Sequence, residues 1–210
     1  MIEFYTWSTP NGRKVSIALE ELNIPDRVHP IDITKGDQFG DEFLRISPNN
    51  KIPAIVDTDN GISLMESGTI LAYLADKAGR LIPVNGEKRY RVLEWLSWQA
   101  AGMGPMCGQL HTFRRFNRGK APFAEERFAA EVRRLYQVLN RRLSDREYIV
   151  DEYSIADVAT WPWVARYEWQ EIDFQEYPNV LRWYLALAKR PAVQRGYKIP
   201  REVEPIPLPN

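Results

Sequence analysis

One cysteine, Cys107, in 210 residues excludes any disulfide within the chain and any Cys-x-x-Cys redox pair. The two histidines, His29 and His111, lie far apart and with a single thiol give no ligand set for a metal, so no metal is expected. Charge of one sign is also missing. Lys+Arg and Asp+Glu both number 28, for a formal net charge of zero. That balance offers no electrostatic footprint for nucleic acid or an anionic membrane, and neither is expected as a partner. No apolar run approaches the length of a membrane-spanning helix. The N-terminal segment carries Glu3 and lacks the unbroken apolar core of a signal peptide. Together these absences make a cytoplasmic location the expectation.

What the chain does have is punctuation. Ile2 to Trp7 is rich in strand formers, and Pro10 then opens a helical pattern with Val15, Ile17, Ala18, Leu19 and Leu22 on one face. Residues 27–33 read as a second strand, and Pro30 suggests that it lies at an edge. Residues 39–46 form a partly helical connector. Residues 52–57 and 62–64 read as strands paired across a turn containing Asn60-Gly61, a strong hairpin signal. A helix over 66–77 is stopped by Gly79. This order, β-α-β-α-β-β-α, is that of a thioredoxin-like α/β domain, placed at residues 1–80. Residues 81–86 read as a linker. From residue 87 the pattern is helical, giving an all-α second domain over 87–210 that ends in a Pro-rich tail. Its first helix, 87–116, carries Gly102, Gly104, Pro105 and Gly108 and should kink there. Ser154-Ile-Ala-Asp157 resembles a capping box with Asp in place of Glu or Gln, a structural signature at a helix start.

Three short segments of the first domain carry chemistry. Asn49-Asn50-Lys51-Ile52-Pro53 stands at the mouth of a strand. An Ile-Pro bond that is cis turns the Ile52 N–H and C=O outward to pair with an extended peptide, whereas a trans bond merely marks the strand start. Glu66-Ser67-Gly68 opens a helix whose free N–H groups and positive dipole end attract a carboxylate, while Glu66 can hold an ammonium group beside it. The same two residues are also ordinary helix-capping types. Taken together, the two segments suit a small tripeptide with a free carboxylate and a free amine, of which glutathione is the common one. Ser8-Thr9-Pro10-Asn11-Gly12 occupies the strand-to-helix turn where thioredoxin-like domains carry their cysteines. Lacking them, this chain cannot run dithiol chemistry by itself, but it can act on a thiol brought by a ligand. The Thr9 hydroxyl, the Asn11 amide and the helix N-terminus are donors that favour a thiolate. Thr9 as N-cap and Pro10 at the first helical position serve folding equally well.

These segments resemble the cytosolic glutathione transferases, above all the bacterial nu class related to the yeast URE-type proteins. The match runs through Thr9 to Gly12, Gly36 to Phe39, Glu42 to Asp57, Glu66 to Gly68, Gly104-Pro105-Met106 with Gly108-Gln109, and Tyr153 to Asp157. The resemblance implies that Ile52 pairs with the cysteinyl unit of glutathione and that Glu66 and Ser67 hold the γ-glutamyl end. Thr9 and Asn11 then face the sulfur, and Gln38 and Lys51 lie near the glycyl end. Arg127 resembles a family arginine that reaches a glutathione carboxylate, and a homodimer is implied. The implied activity is glutathione-dependent reduction of small disulfides. Conjugation of glutathione to electrophiles is the alternative, and a non-catalytic regulatory or interaction module is a third reading. Cys107, on the kinked helix, reads as a small buried hydrophobe rather than a reactive thiol. Tyr5, inside the first strand, reads as a packing residue. His111 is open to either a second-substrate pocket or a plain surface role.

Overall fold

Ile2–Thr6 (β1), Asp26–Pro30 (β2), Ala54–Asp57 (β3) and Ile62–Met65 (β4) form one four-stranded sheet in the order β2-β1-β3-β4. The computed structural model describes residues 1–209. β2 is parallel to β1, and β3 and β4 are antiparallel to their neighbours, with Tyr5 opposite Ala54 and Ala54 opposite Met65. Pro30 falls on an edge strand, where its missing N–H costs no ladder bond. The element order expected from the sequence is present, with helices Pro10–Leu22 (α1), Asp41–Ile46 (α2) and Ser67–Ala78 (α3). Cα packing divides the chain into two units. One comprises Met1–Val84 with Lys189–Ile206, and the other Asn85–Ala188 with the stretch from Pro207.

In the first unit the core is built from Ile2 and Phe4 of β1, Ile55 of β3, Val15 and Leu19 of α1, and Ile70, Leu71 and Leu74 of α3, all buried. α1 packs against α3 and also against a short helix near the chain end, Pro191–Tyr197. Gly196 makes that second contact possible, because a Cβ there would lie 2.7 Å from the Ile17 backbone. Packed on two sides, α1 buries Arg13, Lys14, Ser16 and Glu21 as well as its apolar face. The partners are local. Arg13 Nε donates to the Tyr197 carbonyl (3.2 Å), Ser16 Oγ to that of Gly196 (2.7 Å), and Arg190 forks onto Glu21 (2.7 and 2.9 Å).

Asp57 closes the other end of the sheet. Its buried carboxylate accepts from Tyr73 Oη (2.5 Å) and Lys77 Nζ (2.7 Å), both on α3. Burial works against the charged form. The bonds from Lys77, Tyr73 and the Asp59 N–H outweigh it and hold the carboxyl down to about 2.

The second unit is helical, as its periodicity predicts. Gly86–Trp98 (α4) runs through a π-helical turn, Gln99–Met103, into Gly104–Leu110 (α5) and a second π turn, His111–Phe116. The expected kink of the long helix therefore takes the form of π turns on either side of α5, with Pro105 in the first turn of α5. Pro122–Arg142 (α6), Ile155–Val164 (α7) and Pro178–Ala188 (α8) follow, while Pro191–Tyr197 (α9) belongs to the first unit. α7 starts at the anticipated capping box. Ser154 Oγ accepts from the Ala156 N–H, and Asp157 accepts from the Ser154 N–H (3.0 Å). Asp157 does more than cap. Its buried carboxylate also takes the Ile149 N–H (2.9 Å) and Trp183 Nε1 (2.8 Å), tying α7 to the preceding loop and to α8. Burial pushes its pKa up to about 6 against the pull of these bonds. Among the described residues no helix is long and apolar enough to cross a membrane, and no group of His, Cys, Asp or Glu could hold a metal.

Candidate active site

In the first unit, three chain segments line one cleft. Asn11 comes from the first turn of α1, Ser47, Asn49 and Lys51 to Pro53 from the connection between α2 and β3, and Met65 to Ser67 from the β4–α3 junction. Each is set by local backbone chemistry.

The α1 segment is fixed by its cap. Thr9 is extended (φ −117°, ψ 161°), and its Oγ1 accepts from the Gly12 N–H at 3.2 Å. Pro10 takes the first helical position, where no N–H is needed. Gly12 lets the turn close onto β1, since a Cβ there would lie 2.3 Å from the Trp7 carbonyl oxygen and 2.5 Å from Thr6 Oγ1. The first turn carries no acidic residue, so nothing in it opposes the positive end of the helix dipole. The capping reading of Thr9 therefore holds. No bond donated by its hydroxyl is found among the described residues, so capping leaves that proton available.

The middle segment presents a strand edge. The Ile52-Pro53 bond is cis. β3 begins at Ala54, so Ile52 lies outside both of its ladders, and no backbone bond among the described residues engages the Ile52 N–H or C=O. Ser47 steadies the loop before it. Its Oγ donates to the Lys51 carbonyl at 2.9 Å, and its carbonyl accepts the Asn50 N–H at 2.9 Å. Lys51 is exposed at the cleft rim.

The third segment turns on Glu66, whose backbone is at φ 68° and ψ 110°. A residue with a Cβ rarely adopts positive φ, and such positions gather at ligand clamps. Glu66 is the N-cap of α3, yet its side chain makes no capping bond and stays exposed. The capping alternative fails for this carboxylate, which is left to face the cleft. Ser67 follows it, buried, with its side chain at the same opening.

The cleft brings together Asn11, Lys51, Ile52, Pro53, Glu66 and Ser67 among the residues expected from the sequence, and adds Ser47, Asn49 and Met65. Thr9 stands two residues from Asn11 without lining it. Gln38 sits in the 3-10 turn Asp37–Phe39, also outside the lining, and its buried Oε1 has no hydrogen-bond partner. Arg127 belongs to the second unit. It is exposed on α6, in a groove with Met106, Phe123 and Arg134. Ser154 and Asp157 serve α7, as described above.

The remaining candidates resolve into packing. Tyr5 stacks on His29 (ring centroids 4.6 Å apart) and leans on Phe43, and His29 is in turn paired with Glu3. Cys107 is fully buried, and burial raises its thiol pKa well above the ordinary value. His111 is not the surface residue the sequence allowed. It is buried between Trp163 and Trp169, its Nε2 is 3.3 Å from Gln170 Nε2, and burial pulls its pKa down to about 4.

Comparison with known proteins agrees with this geometry. Residues 9–77 match the glutathione S-transferase N-terminal domain, and residues 105–191 match the glutathione S-transferase C-terminal domain. The chain belongs to the glutathione S-transferase family. It is 48% identical over 198 residues to the disulfide-bond oxidoreductase YfcG of Escherichia coli (strain K12), covering 91% of this chain and 92% of that protein. A glutathione transferase from Pseudomonas putida, solved with one glutathione disulfide bound per subunit, superposes with a TM-score of 0.90 at 41% identity. The match covers 95% of this chain and 91% of that one. One from Burkholderia graminis, solved with two glutathione molecules per subunit, gives a TM-score of 0.90 at 44% identity, covering 96% and 89%. The family match places the cleft in a glutathione-binding fold with the thioredoxin-like and helical parts expected from the sequence.

Proposed function

We propose that this protein is a glutathione-dependent disulfide-bond oxidoreductase. The observation that carries the reading is a cysteine-free Thr9-Pro10-Asn11 turn at the N-terminus of α1, beside a cleft with an open Ile52 backbone and an unspent Glu66 carboxylate. The sulfur has to arrive with the ligand. In this reading the Ile52 N–H and C=O pair with the cysteinyl unit. Ser67 and the α3 N-terminus take the γ-glutamyl carboxylate, and Glu66 takes its ammonium group. Lys51 and Gln38 serve the glycyl end, and Arg127 a glutathione carboxylate. The Thr9 hydroxyl, the Asn11 amide and the α1 N-terminus donate to the sulfur and favour its thiolate.

The reaction then needs no group beyond glutathione. The bound thiolate attacks one sulfur of the substrate disulfide, forming a mixed disulfide and releasing the other sulfur as a thiolate, which takes up a proton. A second glutathione thiolate attacks the glutathione sulfur of the mixed disulfide. Glutathione disulfide forms and the second substrate thiol leaves. Two glutathiones lose two electrons and one disulfide gains them. The glutathione disulfide bound in the Pseudomonas putida structure and the activity named for YfcG support this reading. A cytoplasmic location, where glutathione is kept reduced, and a homodimer complete it.

The test compares rates. Reduction of hydroxyethyl disulfide by glutathione is expected to be fast and conjugation of a chlorinated dinitrobenzene slow. The opposite pattern would assign conjugation, and tight glutathione binding without either activity would assign a non-catalytic binding module.

A further inference from the structure

The proposed reaction makes no use of Lys14. This residue lies on α1, is 2% exposed, and places its Nζ 3.2 Å from Ser67 Oγ. Ser67 lines the cleft and Lys14 does not, so the ammonium stands behind the hydroxyl. Burying an ammonium group is costly unless acceptors or an anion compensate. Other charges on α1 form pairs of their own: Arg13 with Glu204, Glu20 with Arg195, and Glu21 with Arg190. On α3, Lys77 is held by Asp57 and Asp59. Glu66, at the start of α3, acts electrostatically on Lys14. Burial pulls the lysine down to about 7, and Glu66 acts in the opposite direction.

With Lys14 protonated, its hydrogen bond to Ser67 has one direction. An ammonium group has three protons and no lone pair, so toward Ser67 it can only donate. A serine hydroxyl has two lone pairs and one proton. With one lone pair of Oγ taken from behind, the single Ser67 proton cannot turn back to Lys14. We propose that Lys14 is a positioning residue for the γ-glutamyl end of the ligand: it donates to Ser67 Oγ, commits the Ser67 proton to the ligand's α-carboxylate, and sets a cation behind that carboxylate. The proposal rests on the glutathione reading above.

Two probe ligands separate this role from plain packing. S-methylglutathione keeps the carboxylate and has no thiol proton to lose, and its analogue with the γ-glutamyl α-carboxylate amidated lacks the charge Lys14 serves. Dissociation constants for wild type, Lys14→Met, Ser67→Ala and the double variant are the readout. Lys14→Met is expected to weaken S-methylglutathione roughly tenfold, the scale of one charge-assisted hydrogen bond, and to leave the amidated analogue nearly unchanged. It should cost less in the Ser67→Ala background, where only the charge behind the carboxylate is left to lose. In turnover, the KM for glutathione should rise by a larger factor than kcat falls. Equal weakening of both ligands, no weakening, or a full additional loss on top of Ser67→Ala overturns the proposal.

A wild-type measurement keeps the test open if Lys14→Met does not fold. Calorimetry near pH 7 in buffers of different ionisation heat should show proton uptake when S-methylglutathione binds, and none with the amidated analogue. Equal uptake with both, or none with either, overturns the role of Lys14. Failure of wild type to bind S-methylglutathione overturns the glutathione reading and this one with it.

Discussion

In the proposed reading Thr9, beside the cleft, and Asn11, within it, serve the sulfur of the ligand, whereas the other proposed residues serve its backbone and its two ends. Donors to a sulfur matter most when the sulfur is charged, so their loss should appear in the chemical step more than in ground-state binding. Replacing both by Ala is expected to lower kcat for disulfide reduction by on the order of tenfold per donor, while the KM for glutathione moves by less. Steady-state kinetics of the single and double variants check this, and a KM rise that accounts for the whole loss would reassign both residues to binding. Cys107 makes the opposite case. Its thiol is buried and its pKa is raised, so it is a poor nucleophile. Cys107→Ser should keep full turnover and lower the midpoint of thermal unfolding by a few degrees, for a hydroxyl placed in an apolar site at about 1–2 kcal/mol. At this scale the sequence was most legible where residue type and chain position coincide, as at the Thr9 cap with Pro10 behind it and at the placement of Asn11, Glu66 and Ser67 along one cleft. It was least legible at Lys14. Helical spacing assigns a lysine beside apolar positions to the solvent, but α1 is packed by both α3 and α9 and has little solvent face there. Met65 gave no signal either, because an apolar residue at a strand end reads as core.

Elements were legible where a terminus has its own chemistry. Pro10 starts α1, Asn60-Gly61 turns the hairpin, Gly79 ends α3, and Ser154 with Asp157 starts α7. What lacks such a marker was missed. The π turns flanking α5 leave the helical period nearly intact, so the sequence signals only a kink near Pro105. The short helix α9 has few residues to show a period, and the reason it exists, the close approach of Gly196 to Ile17, joins positions far apart in the chain. Asp157 shows how much an element can hang on one cap. Besides the Ser154 N–H it satisfies the Ile149 N–H and Trp183 Nε1, both in a buried setting. Asp157→Ala removes these acceptor roles and the bond that Ser154 Oγ donates to the same carboxylate (3.2 Å). The expected cost is about 3 kcal/mol or more, because buried donors are left unsatisfied rather than merely uncapped. Calorimetric unfolding should show a midpoint lower by roughly 6 °C or more. Glutathione binding measured well below that transition should be retained, because the cleft is lined by the first unit alone. A loss of only a few tenths of a kcal/mol would mean that Trp183 and Ile149 find other partners.

The response of the whole molecule to acid cannot be read from its net charge. With acidic and basic residues equal in number, there is no excess of one sign to drive unfolding near neutral pH. Acid sensitivity then falls on individual carboxylates whose charged form the fold prefers, and Asp57 is the best placed of these. It is buried beneath Tyr73 and Lys77 and held down to about 2, below the value of roughly 3.9 for an aspartate in an unfolded chain. Because the folded value is the lower one, the unfolded chain binds the proton first as pH falls. The stabilisation is therefore complete above about pH 4 and disappears as pH drops through 2, with a size on the order of 2 kcal/mol. Asp57→Asn should be less stable than wild type by about that amount at pH 7, and the gap between the two should close between pH 4 and pH 2. Urea titrations of both proteins at intervals across that range measure the gap directly. A gap that stays constant down to pH 2 would show that the carboxylate contributes through shape and neutral hydrogen bonds, and that its charge pairing with Lys77 adds nothing to the fold.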